Sequence, residues 1–91
     1  MIIEKNNIIK KDNDEYIVLA TANYNNRLYL YVNKLINERA TNNYKIFKIV
    51  DDVIESENNT VIIRQLLPGF EQQFSDDMMN DMSDEKYGVG E

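Results

Sequence analysis

The apolar residues of this chain come in short runs, and their spacing changes once, near the C-terminal end. Between Glu15 and Lys34 the runs EYIVLATA and RLYLYVN flank Asn23-Tyr24-Asn25-Asn26. Successive side chains of a strand point to opposite faces, so Arg27, Tyr29 and Tyr31 fall on one face and Leu28, Leu30 and Val32 on the other. The earlier run is apolar on both faces, Ile17 and Leu19 against Tyr16 and Val18, which suits a strand inside a sheet. Asparagine tolerates left-handed backbone better than any residue except glycine, so the stretch between the runs predicts a tight hairpin turn.

The remaining elements follow the same logic. Ile2-Ile3 and Ile8-Ile9 predict a short strand or strand pair, and Lys11-Asp12-Asn13-Asp14 a turn leading back into Tyr16. Lys34 to Asn43 lacks strong periodicity; it reads as a loop, a helical turn or the end of a long strand, and as a long connection where variation or function would sit. Tyr44 to Val50 predicts a strand. After the acidic segment Asp51 to Glu57 and a turn signal at Asn58-Asn59, Thr60 to Leu66 predicts the last strand, ended by Pro68-Gly69. Then the period becomes four: Phe70, Phe74, Met78 and Met82, with Met79 beside them, predict an amphipathic helix opened by Pro68, its Glu71, Asp76 and Asp77 toward the N-terminal half. The expected fold is α+β, an antiparallel meander sheet of four or five strands covered on one face by the C-terminal helix. It forms one domain over 1–82, followed by a flexible acidic tail over 83–91. The helix is expected on the aliphatic face, leaving the tyrosines on the outer one.

Composition narrows the chemistry. The 91 residues include no histidine and no cysteine, which removes disulfides, Cys/His metal sites, the cysteine nucleophile and the usual general base. The net charge is −6; residues 76–91 hold six acids against Lys86, a balance of −5, so the body carries about −1. Only the C-terminal end would repel nucleic acid or seek a basic partner. The N-terminal MIIEKNNIIKK lacks the continuous apolar stretch of a signal peptide, and the chain reads as soluble and cytoplasmic, without membrane association.

EYIVLATANYNNRLYLYV resembles the strand, tyrosine-bearing polar turn and second tyrosine-bearing strand of the YrzB family, small acidic proteins from low-GC Gram-positive bacteria and their mobile elements. YKIFKIVDD and NNTVIIRQL are similar to that family's paired strands, and the acidic C-terminal helix to its helix, so the resemblance spans about Asp12 to Met82. It differs in asparagine richness, in the connection at Lys34 to Asn43 and in a less acidic body. The family has no established activity, so the resemblance implies a fold and little else.

Candidate chemistry is sparse. Asp51-Asp52 and Asp76-Asp77 pair carboxylates without the spacing of a calcium loop, and Gly69, Gly88 and Gly90 make no phosphate loop. No catalytic residue, cofactor or metal site is expected, and the chain is not expected to be an enzyme. Tyrosine and arginine dominate binding hot spots, so Tyr24, Arg27, Tyr29 and Tyr31 form the candidate contact surface, with Tyr16 and Tyr44 as neighbours. The leading expectation is a non-catalytic interaction module that docks a protein partner through this face or a sheet edge. An uncapped edge would equally allow a homodimer. The alternative is a phage-type inhibitor, such as an anti-CRISPR or polymerase inhibitor, whose Glu71, Asp76, Asp77, Asp81, Asp84 and Glu85 imitate a phosphate backbone. Direct nucleic-acid binding is not expected from a near-neutral body with an acidic tail.

Overall fold

The computed structural model describes residues 2–73 and 75. Five strands run in chain order: β1 (Ile8–Lys11), β2 (Asp14–Tyr24), β3 (Arg27–Ile36), β4 (Arg39–Val50) and β5 (Val53–Ser56). They form one antiparallel sheet in the order β1-β2-β3-β4-β5. A helix, α1, occupies 60–73. The α+β meander expected from the sequence is therefore present, with five strands.

Each hairpin closes on two residues with positive φ: Asp12-Asn13 (54° and 70°), Asn25-Asn26 (53° and 61°), Asn37-Glu38 (52° and 64°) and Asp51-Asp52 (51° and 64°). These left-handed pairs match the twist of the flanking strands, and Asn and Asp reach them at small cost because their short side chains bond locally. Every position but Glu38 is Asn or Asp. Asn and Asp thus do the work that glycine does in most such turns. Lys34 to Asn43 is accordingly no loop: β3 and β4 extend through it to a two-residue reversal at Asn37-Glu38, which corrects the long connection expected there. Asp51-Asp52 likewise turns β4 into β5.

Thr60 to Leu66 is the main correction. It opens α1 rather than forming the last strand, and the fifth strand is Val53–Ser56 instead. Val61-Ile62-Ile63 looked β-branched enough for a sheet, yet Ile62, Ile63, Leu66, Leu67 and Phe70 recur at helical spacing, and all five are buried or half-buried. Asn59 supplies the N-cap: its Oδ1 accepts from the Val61 and Ile62 amides at 2.9 and 3.4 Å. Pro68 does not open the helix but sits inside it, where it has no N–H to offer the Arg64 carbonyl. Of the apolar stripe expected in the helix, Phe70 is seen; Phe74, Met78, Met79 and Met82 lie outside the described residues.

Two apolar clusters flank the sheet. In the first, Tyr16, Val18, Leu30, Val32 and Phe47 are all at most 3% exposed, and Ile9 of β1 and Ile54 of β5 pack on the same group. Those two strands are the opposite edges, so the sheet curls until its edges approach a common core. Tyr16 and Phe47, on strands separated by β3, meet edge to face with ring centroids 4.9 Å apart. In the second cluster Ala20, Tyr29 and Ile46 join Leu66 and Phe70 of α1. A bulge lets β2 serve both: the register passes from Val18↔Val32 to Ala20↔Tyr31, with Leu19 as the extra residue. Residues 16 and 18 therefore face one core, and 20, 22 and 24 the other.

Candidate functional site

The tyrosine face is not the open surface that alternation suggested. Tyr29 is 3% exposed and belongs to the cluster containing Leu66 and Phe70. The Tyr31 ring stacks on Phe70 with centroids 5.5 Å apart and planes 7° from parallel. Tyr24 packs edge to face on Tyr29 at 6.1 Å, and Arg27 lies exposed at the β2–β3 corner. The expected arrangement is inverted: the aliphatic face closes on itself through curling, and helix residues reach the aromatic face. Of the four residues singled out, Tyr24, Tyr29 and Tyr31 come together, but with much of their area already used; Tyr16 turns to the opposite face.

Tyr44 carries the aromatic system outward. It too stacks on Tyr31, at 5.7 Å and 18°, and remains 46% exposed. Phe70, Tyr31 and Tyr44 thus form a ladder of three rings running from the interior to solvent. Beside it lies a cavity of about 400 Å³ between the β4 edge and α1, bounded by Tyr31, Tyr44, Ile46, Glu57, Ile63 and Glu71. A second hollow, lined by Tyr31, Tyr44, Glu71 and Ser75, adjoins the same rings.

Two carboxylates, Glu57 and Glu71, line this cleft together with Lys45, and Lys48 lies beside Glu57. Glu57 is held where β5 passes into α1: its amide donates to the Ile46 carbonyl at 2.9 Å, and its Oε2 accepts from the Asn59 amide at 3.0 Å. Its side chain is 5% exposed, and Oε1 has no hydrogen bond, only the Lys48 ammonium at 3.5 Å. Glu71 lies on the last described turns of α1, not near the helix N-terminus. Burial first, and then the charge of Glu71, raise the Tyr31 phenol above its ordinary value of 10.0.

One further polar device shapes this side of the sheet. Between Asn33 and Leu35 the β3–β4 register slips from Asn33↔Tyr44 to Leu35↔Ala40. Asn33, only 2% exposed, fills the gap with its side chain. Its Nδ2 donates to the Thr41 carbonyl at 2.7 Å and its Oδ1 accepts from the Thr41 amide at 2.8 Å, while the Thr41 hydroxyl donates to the Lys34 carbonyl at 2.6 Å. A single amide side chain thus replaces the missing ladder bonds. Nothing local in the sequence marks Asn33 for this role, nor Glu57 for its own.

Among the described residues no group of three or more His, Cys, Asp or Glu side chains converges to hold a metal ion, and no helix is long and apolar enough to cross a membrane. Asp76, Asp77, Asp81, Asp84 and Glu85, five of the six residues of the acidic alternative, lie outside the described residues. No family model, curated protein or solved structure matches this chain.

Proposed function

We propose that this chain is a non-catalytic interaction module that takes an extended segment of a protein partner along the open edge of β4, beside Tyr44. In this reading α1 covers the tyrosine-bearing face and so makes the edge, rather than the face, the docking element. The observation that carries it is the unequal pairing of β4. Its one side is paired with β3 from Arg39 to Lys48, whereas β5 pairs its other side only from Phe47 to Val50. Among the described residues no strand lies against 39–45 on that side, and all of these except half-buried Thr41 are exposed.

The backbone there is oriented for pairing. Ile46 presents its carbonyl toward β5, where the Glu57 amide takes it. Hydrogen-bonding direction alternates along a strand, so Tyr44, two residues back, points its N–H and C=O the same way, into the open edge. A partner strand would gain those two bonds and lay a side chain against the exposed Tyr44 ring. Strand addition of this kind takes affinity from the backbone and selectivity from neighbouring pockets.

The test is to pan a displayed library of random peptides against the full chain and map the winners by amide chemical shifts. The expected result is perturbation of residues 39–45, with affinity falling about tenfold or more in Tyr44→Ala, the loss of a hot-spot tyrosine. Winners that shift other amides only, or that bind Tyr44→Ala as well as the parent, refute the proposal.

A further inference from the structure

The cleft next to that edge has a chemistry of its own. From the carboxylates, the ring ladder and the hollow between them, we infer that it is a recognition site for an arginine side chain of the docked segment. This deepens the docking reading above and rests on it.

Three features converge. The hollow, about 400 Å³, is at the small end of ligand pockets, the size for one long side chain rather than a cofactor. Its mouth holds Tyr44, which uses one ring face on Tyr31 and is 46% exposed, leaving the other face to stack on a planar cation. Its wall holds Glu57, whose buried Oε1 makes no hydrogen bond and meets only the Lys48 ammonium at 3.5 Å, so a small turn of the carboxylate toward the cleft would exchange a long ion pair for donors from a ligand.

The charges about the cleft favour a cation. Glu57 and Glu71 line it, with Lys45 the only basic residue among the lining residues. Lys45 alternates to the opposite face from Ile46, and its charge is felt by Asp12, whose carboxyl it helps to hold below the ordinary value, after the stronger effect of Lys11. Lys48 approaches Glu57 Oε1 at 3.5 Å, within ion-pair range but without a hydrogen bond, so it tempers this charge without satisfying the oxygen's hydrogen-bonding capacity. A guanidinium fits better than an ammonium, because its planar fork stacks on an aromatic ring while its edge donates to carboxylates. Glu71 sits close enough to Tyr31 for its charge to raise that phenol. A guanidinium entering along the rings would therefore meet Glu71 at the entrance and Glu57 within.

The experiment titrates the full chain with N-acetyl-arginine methylamide, its lysine counterpart and its uncharged citrulline counterpart, followed by amide shifts. Saturable shifts at Tyr44, Lys45 and Glu71 with the arginine compound are expected, at least about tenfold weaker with citrulline, as fits the loss of a charge-assisted hydrogen bond. Glu71→Gln, an exposed position, should weaken arginine binding several-fold while the rest of the spectrum stays in place; Glu57→Gln should do so more strongly. Equal binding of citrulline or lysine overturns the assignment, as does unchanged binding by both glutamine variants. Tyr44-centred shifts that depend on protein concentration alone would place a second copy in the cleft, and contacts from 76–91 would place this chain's own C-terminal segment there; either overturns it. If displayed peptides dock on 39–45 but carry no arginine and the arginine compound does not bind, this inference fails while the edge-docking function stands.

Discussion

Asn33→Ala removes two hydrogen bonds at once from a position that is 2% exposed. Each is worth about 0.5–1.5 kcal/mol net, and the Thr41 amide and carbonyl are then left facing a bulge with no ladder partner. Thr41 is half-buried, so water recovers part of that loss and the orphan penalty belongs at the low end, near 1 kcal/mol. The sum is about 2–4 kcal/mol, a large share of the roughly 5–15 kcal/mol that holds a domain of this kind. Urea unfolding followed by circular dichroism should show a lower midpoint with an unchanged slope, and hydrogen exchange should show faster exchange of the Thr41 amide. Asn33→Leu restores the volume but neither bond and should be no better than alanine. A leucine variant as stable as the parent, or a Thr41 amide with unchanged protection in Asn33→Ala, would show that the site needs bulk and refute the reasoning.

Other outcomes follow from the same contacts. Glu38 is the one turn residue with positive φ that is neither Asn nor Asp, so Glu38→Gly should raise stability by up to about 1 kcal/mol in urea unfolding, the relief of left-handed strain exceeding the added chain entropy. Phe70→Ala, at a fully buried site stacked on Tyr31, should cost about 3–5 kcal/mol and bring the Tyr31 phenol back toward 10.0 in an absorbance titration. The raised Tyr31 phenol means the folded chain binds that proton more tightly than the unfolded one. Its stabilising contribution is thus complete below pH 10.0 and lost as pH rises from there through the raised value, and Tyr31→Phe should flatten that decline in unfolding midpoints between about pH 9 and 12. Pro68→Ala, at an exposed helical position, should stabilise by about 1–3 kcal/mol; a destabilised variant would show that the proline sets the path that seats Phe70.

How far the sequence could be read depended on the range of the interaction responsible. Turn chemistry is local: Asn25-Asn26 announced the central hairpin because left-handed backbone is a property of those two residues. The same signal at Asn37-Glu38 was weaker, since Glu occupies the second position, and the connection there looked longer than it is. Thr60 to Leu66 misled because β-branched residues favour strands only slightly, a preference that an N-cap at Asn59 and apolar spacing from Ile62 to Phe70 easily outweigh. Pro68-Gly69 compounded the error by suggesting a stop where the helix continues. At the cleft, Tyr44 was visible as an aromatic neighbour, but Glu57 was one acid in an acidic run until the chain closed around it.

The sequence by itself determined the alternating stretches of the central strands, the reversals at Asp12-Asn13 and Asn25-Asn26, and an apolar helical period toward the C-terminal end; the reversal at Asn37-Glu38, the strand Val53–Ser56 and the start of α1 at Thr60 came only with the fold. The former are decisions made within a few residues. Only the tertiary structure decided which face met which element. A bulge at Leu19 moved half of β2 to the other face, the slip held by Asn33 reset β4, and curling brought Ile9 and Ile54 to one core. Alternation tells which side chains share a face, but the choice of which face is closed by curling and which meets α1 rests on contacts between residues far apart in the chain. That choice set Tyr29 and Tyr31 inward and left Tyr44, beside Glu57 and Glu71, at the open edge.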